Sequence, residues 1–386
     1  NDTITGGDGA DYLDGGNGND TFIQTIAQFN GDADTIAGGA GTNTLSLTTT
    51  TSVTIADVGF NSRLSNITNV TVSDDGSDTI TWTLGAYSQA AGVTTVTVGG
   101  ATVGAIDATS YGVAVTLVGG SSADTLTGTA YGDSINGGAG ADTISAGDGN
   151  DTIAGGADAN QIDAGAGNDL ITLATATDSV VAGTGDDTVV GGAYVTDADT
   201  LTGGAGTDLL TLNGAATAGN VVATSITFDG DFTQFEQITV TAGLAAAAVA
   251  GASNDTAGSV NDYTLALVDA NVAAASTFVV DASALRTTIT TALGTDGEIG
   301  GTGGDADTTT GEENLSLNAS NLTGTRAVSV LGGAGADTVQ GGAGADTITG
   351  NGGADSLVGN GGADVISGGD GNDTITGGDG ADYLDG

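Results

Sequence analysis

Between Gly332 and Asp385 the sequence reads GGAGADTVQ GGAGADTIT GNGGADSLV GNGGADVIS GGDGNDTIT GGDGADYLD, six nonapeptides without remainder. An Asp closes the glycine-rich hexapeptide of each: Asp337, Asp346, Asp355, Asp364, Asp373 and Asp382. Two places after each Asp stands a large apolar residue: Val339, Ile348, Leu357, Ile366, Ile375 and Leu384. Glycine at this density permits positive φ and close backbone approach, so the hexapeptide reads as a turn. The following triplet, as in Thr-Ile-Thr, reads as a short strand that sends its apolar residue to one face and its neighbours to the other. Two units make one coil of 18 residues. Strands two units apart then stack in parallel, about 4.8 Å from each other.

The same phase governs the chain further upstream. Asp124, Asp133, Asp142, Asp151, Asn160, Asp169, Asp178 and Asp187 keep the nine-residue spacing, and Asp199 and Asp208 resume it. At the amino end it is carried by Asp2, Asp11 and Asp20, with Asp34 following. Asn160 replaces one carboxylate, and Asp178 lacks the glycine turn before it. Both positions are therefore expected to bind a cation weakly or not at all.

Stacking has a cost that the sequence itself exposes. One large apolar residue in nine gives a thin core. Two unit charges about 5 Å apart repel by roughly 3 kcal/mol at an effective dielectric of 20. A cation lodged between successive turns would relieve both problems. Aspartate carboxylates and turn carbonyls are hard oxygen ligands, which suit Ca²⁺ with its six to eight oxygens; Mg²⁺ prefers to keep its waters. The chain has no His or Cys, so zinc and copper are poor fits.

These nonapeptides resemble the RTX (repeats-in-toxin) motif, GGxGxDxUx with U a large apolar residue. The resemblance implies a parallel β-roll binding several Ca²⁺ ions, export by a type I route, and folding outside the cell, where calcium is abundant. Carried over by position, the implied metal ligands are Asp2, Asp11, Asp20, Asp34, Asp124, Asp133, Asp142, Asp151, Asp169, Asp187, Asp208, Asp337, Asp346, Asp355, Asp364, Asp373 and Asp382. The fold expected is all-β: right-handed parallel β-roll blocks at 1–43, 119–208 and 332–386 alternate along an elongated rod with two Thr/Val-rich segments, 44–118 and 209–331. Those segments read as wider parallel β-helix coils continuing the roll or as small β-sandwiches. Coils are favoured, because AVTLVGG before Ser121 and AVSVLGG before Ala334 re-enter the nonapeptides alike. Within them, 244–252 and 269–275 are candidate short helices and 294–313 a candidate exposed loop. Trp82 and the phenylalanines read as stacking core residues, and Arg63, Arg286 and Arg326 as carboxylate partners.

Composition removes most other functions. Of 386 residues 48 are acidic and three are Arg, with no Lys, for a net charge of −45. Binding to nucleic acid is not expected of such a chain. Without His, Cys or Lys there is no imidazole base, thiol nucleophile or Schiff-base amine, and no enzyme activity is expected. No apolar run reaches the roughly 18 residues that span a bilayer, so membrane insertion is not expected either.

A last feature concerns assembly. Residues 1–15, NDTITGGDGADYLDG, recur as residues 372–386, which leaves a unique unit of 371 residues. Joined through that overlap, copies continue the nonapeptides without a break. The Thr/Ala/Gly/Asp-rich composition also resembles bacterial S-layer proteins and large RTX surface proteins. The expectation is a calcium-stabilised structural unit at the bacterial cell surface, extracellular, with copies of itself as head-to-tail partners in a filament or sheet. The alternative is the stalk of a secreted RTX adhesin, which would make cell-surface polysaccharide a partner.

Overall fold

The computed structural model describes residues 1–31, 33–55, 57–60, 63–73, 79–100, 103–174, 176–192, 195, 199–213, 224–227, 232–233, 235, 237–241, 263–266, 277–282 and 314–386. The chain divides into two compact units, Asn1–Thr188 and Val189–Gly386. The division falls inside the block 119–208.

In the first unit, parallel strands stack coil upon coil. One face runs from Thr3–Ile4 through Thr21–Thr25, Thr44–Thr48, Asn69–Ser73, Thr95–Gly99, Thr116–Val118, Ser134–Asn136 and Thr152–Ala154 to Leu170–Thr172. The opposite run leads from Val53–Ile55 through Thr79–Thr83, Val103–Asp107, Thr125–Thr127, Thr143–Asp148 and Gln161–Ala166 to Ser179–Thr184. In the nonapeptide coils the register is the one the period dictates: Leu126 opposes Ile144, and Ile144 opposes Ile162.

The Thr/Val-rich segment 44–118 continues this stack as wider coils, and the sandwich alternative is excluded by its parallel pairing. Additional residues enter at the corners. Within 44–118 the helix Ala86–Ala91 buries Ser88 and Ala91; the helix Ile26–Gly31, which buries Ile26 and Phe29, already widens a coil of the block 1–43, where Thr21 pairs with Thr44. The Asp57 carboxylate, from a neighbouring coil, caps the second helix by accepting from the backbone N–H groups of Gly85, Tyr87 and Ser88 at 3.1, 2.9 and 2.7 Å. Wider coils admit larger side chains. Phe60, Ile67, Ile80, Trp82 and Leu84 are fully buried. Trp82 stacks on Phe60 at 5.2 Å, and Phe60 meets Phe29 at the same distance, which makes the aromatics core residues as expected.

The second unit repeats the plan. Leu209–Asn213, Gln237–Thr241, Thr277–Asp281, Ala327–Leu331, Thr347–Gly353, Val365–Gly371 and Tyr383–Asp385 pair in parallel succession. Thr224–Thr227, Tyr263–Ala266, Leu315–Asn318, Thr338–Gln340, Ser356–Gly361 and Thr374–Asp379 form the other run. Val339, Leu357 and Ile375 stand in register in one column, and Ile348, Ile366 and Leu384 in the other; the column ends in the last coil are open, with Ile375 half-buried and Leu384 exposed. The candidate helices at 244–252 and 269–275, the loop at 294–313 and Arg286 lie outside the described residues.

Candidate metal centre

Each nonapeptide turn delivers its Asp to the corner where turn becomes strand. The side chain folds back under its own coil, and its Oδ1 accepts the backbone N–H of the residue one coil earlier. Asp142 Oδ1 accepts from Asp124 at 2.8 Å, Asp151 from Asp133 at 2.6 Å and Asp169 from Asp151 at 2.7 Å. Asp355 likewise accepts from Asp337 and Asp364 from Asp346, both at 2.8 Å. The carboxylates are therefore not merely stacked charges: an amide dipole lies between each pair. Asp124, Asp133, Asp142, Asp151, Asp169, Asp187, Asp208, Asp337, Asp346, Asp355 and Asp364 are all buried.

The second oxygen separates these residues into two classes. In the opening turns of the blocks 119–208 and 332–386 it accepts an N–H from its own turn: Gly120 to Asp124, Thr129 to Asp133, Gly333 to Asp337 and Gly342 to Asp346, at 2.6 to 2.9 Å. In Asp11, Asp20, Asp142, Asp151, Asp169, Asp355 and Asp364 the buried Oδ2 has no hydrogen-bond partner. The backbone explains the split. Gly138 and Gly147, the second residues of the turns leading to Asp142 and Asp151, are left-handed at φ 100° and 113°. Their N–H groups are thereby swung off the carboxylate.

A buried carboxylate oxygen without a donor costs desolvation energy that something must offset. The pKa directions express the cost of burial in both classes, with or without a donor on Oδ2. Burial, followed by the neighbouring carboxylates of the ladder, pushes Asp151 up to about 7 against hydrogen bonding from Asp133. Burial likewise raises Asp142, Asp169 and Asp346 to about 6 and Asp337 to about 7. Asp124, Asp133, Asp187, Asp355 and Asp364 are shifted upward for the same first reason. For Asp142, Asp151, Asp169, Asp337 and Asp346 burial thus brings proton binding to about pH 6 to 7.

The surroundings of Oδ2 suit a hard cation. A Cβ built on Gly350 would lie 2.1 Å from Asp355 Oδ2 and 2.7 Å from the Gly368 carbonyl oxygen. One on Gly359 would meet Asp364 Oδ2 and the Gly377 carbonyl at the same two distances. Glycine at the first turn position thus leaves a recess lined by carboxylate and carbonyl oxygens of successive coils. Among the described residues no three acidic side chains converge. A cation there would be held by one or two carboxylates and completed by turn carbonyls, an all-oxygen set that fits Ca²⁺.

The sequence of the RTX calcium-binding nonapeptide repeat matches residues 1–22, 30–46, 118–193, 195–215 and 331–386. The chain is an RTX repeat protein. The repeats are calcium-binding motifs, and RTX repeat proteins are typically secreted. No curated protein matches the chain. Among the described residues no helix is long and apolar enough to cross a membrane.

The remaining positions singled out from the RTX pattern differ in setting. Asp2 is exposed, and its N–H donates to Asp20 Oδ1 at 2.7 Å. Asp373 and Asp382 are half-buried in the last coil and accept from Asp355 and Asp364. Asp34 is buried, but its Oδ2 accepts from Gln24 Nε2, while Arg63 donates to its carbonyl at 3.4 Å. Arg326 donates to the Thr323 carbonyl at 3.1 Å. One ladder member escaped the sequence reading: Asn43 is fully buried and its Oδ1 accepts from Asp20. Asp178 and Asp199, read as phase positions without being assigned as ligands, are buried with the rest. The signal for Asn43 was present in GGAGTNTL, where Asn takes the place of Asp.

Proposed function

We propose that the chain is a calcium-stabilised structural unit of an extracellular surface array or filament. Ca²⁺ held between successive turns would be bound by the Oδ2 atoms of Asp11, Asp20, Asp142, Asp151, Asp169, Asp355 and Asp364 with turn carbonyls. The remaining phase aspartates, Asp2, Asp34, Asp124, Asp133, Asp187, Asp208, Asp337, Asp346, Asp373 and Asp382, complete the ladder as weaker ligands or as hydrogen-bonded spacers. In calcium-poor surroundings the self-repelling nonapeptide stretches that lack other support stay open. Where calcium is abundant, binding free energy becomes folding free energy. The unit performs no catalytic step, and its ladder aspartates are committed to metal and backbone.

The observation that carries this reading is the set of buried, donor-less carboxylate oxygens that recurs in the nonapeptide turns of both units. A set of that kind stiffens a stack and offers no cleft for a substrate. The fifteen residues shared by 1–15 and 372–386 add a direction of growth, since a further copy would continue both strand columns. Electron microscopy of the purified chain with calcium and with EGTA tests the assembly. Filaments or sheets with an axial repeat of about 70–100 Å are expected, from about 20 coils at strand spacing. Particles that stay monomeric in calcium would favour the adhesin-stalk reading.

A further inference from the structure

In this ladder not every turn leaves an oxygen waiting for a cation. At Asn160, Oδ1 accepts the Asp142 N–H at 3.0 Å. That N–H needs an acceptor, which fixes which way the amide points. Nδ2 is thereby turned onto the carbonyls of Asp158 at 2.9 Å and Gly156 at 3.4 Å, and onto Asp178 Oδ1 at 3.2 Å. Asn43 repeats the arrangement: Oδ1 takes the Asp20 N–H at 3.0 Å, and Nδ2 donates to the Asn66 carbonyl at 3.0 Å. Both side chains are buried in the phase that Asp holds elsewhere.

A second pair reaches the same end from another position. Asn351 and Asn360 stand second in their turns and are left-handed, at φ 74° and 73°. Their Nδ2 atoms donate to the carbonyls of Gly332 and Gly341 at 2.6 and 2.7 Å. Those carbonyls belong to the turns of Asp337 and Asp346, whose Oδ2 atoms already accept an N–H from Gly333 and Gly342. In these two turns both kinds of oxygen are therefore satisfied by protein donors.

We infer that Asn43, Asn160, Asn351 and Asn360 are uncharged stand-ins for the cation: their amide groups gather the turn oxygens that calcium gathers at Asp142, Asp151, Asp169, Asp355 and Asp364. The inference rests on the calcium reading proposed above. An amide places partial positive charge on carbonyl oxygens without the desolvation of a full charge. The braced turns close without metal and divide the ladder into calcium-requiring stretches joined by calcium-independent ones. The amide at Asn160 also fills the space into which a cation would have to enter.

Calcium counting on the full chain tests this, with wild type, Asn160→Asp and Asn160→Ala compared by equilibrium dialysis at neutral pH. Hydrogen–deuterium exchange is followed in parallel. Asn160→Asp is expected to bind one calcium ion more than wild type. Asn160→Ala gains none, and in EGTA it exchanges faster than wild type between residues 142 and 178. An Asp variant that is protected in calcium yet binds the wild-type number of ions would overturn the stand-in role while leaving the ladder intact. So would an Ala variant that exchanges like wild type in EGTA. A wild-type chain that binds no calcium would remove both.

Discussion

The coils of 44–118 and the coils of 119–188 stack through the same parallel strands, yet they are filled with different matter. The wider coils place Leu45 and Leu47, Val70 and Val72, and Val96 and Val98 inward as pairs, with Phe60 and Trp82 packed alongside. Each fully buried aliphatic side chain of this kind contributes about 1.5–3 kcal/mol. A nonapeptide strand offers one, such as Ile135, Ile144 or Ile153, and adds a buried carboxylate that costs energy. One architecture is thus held in two ways, by apolar packing in the first region and, on the calcium reading proposed above, by cations in the second. Widening the coil makes room for a core; narrowing it to 18 residues trades that core for a metal recess.

The sharpest way to break this comparison is to remove calcium. In EGTA the amides of Ser134–Asn136 and Val365–Gly371 are expected to lose most of their protection. Those of Thr44–Thr48 and Asn69–Ser73 should remain protected. Uniform loss in both regions, or in neither, would show that the two are not held differently.

Next in size is damage to the apolar region alone. Trp82→Ala empties the space over Phe60 and should cost about 3–5 kcal/mol. Urea unfolding in calcium should register the loss, while the calcium midpoint of the nonapeptide coils stays close to wild type. A matched change in the other region is Gly359→Ala, whose Cβ would crowd Asp364 Oδ2 and the Gly377 carbonyl. Its expected signature is a several-fold higher calcium concentration for protection of 356–384, with no effect on 44–118.

The smallest effect is one of pH on the metal-free protein. The folded-state pKa of Asp151 is raised from 3.8 to about 7, and that of Asp142 to about 6, first by burial. A raised carboxylate pKa means that the folded state holds its proton more tightly. Stability from that proton is present below the unfolded value and is lost as pH rises through the folded one. In EGTA, protection of the nonapeptide amides should therefore fall between pH 5 and pH 8, and protection of Thr95–Gly99 should not. Calcium at saturation should flatten the dependence by replacing the proton.

The nonapeptide period was enough to place the apolar columns of 332–386 in register, because a repeat of nine fixes register and facing together; only the last coil leaves its member, Leu384, exposed. The pairing of Val339 with Leu357 and of Ile348 with Ile366 follows from spacing alone. The wider coils were harder to read. Their parallel continuation showed in the shared re-entry stretches, but the helix Ala86–Ala91 did not, nor did Ile26–Gly31 in the block 1–43, since six residues are too few for a helical period to emerge. At the site, composition and phase picked out the aspartates. They could not separate Asp337 from Asp355, because that difference lies in the left-handed turn of Asn351 and the direction of one backbone N–H. The donors around Asp34 also lay beyond reach, since Gln24 and Arg63 meet it only through coil stacking.

Anomalous diffraction from crystals grown in calcium tests the central claim most directly. The account predicts density peaks within coordination distance of Oδ2 of Asp142, Asp151, Asp169, Asp355 and Asp364, and none beside Asn160. Recesses without metal, with these aspartates turned outward to water while the coils stay stacked, would contradict it.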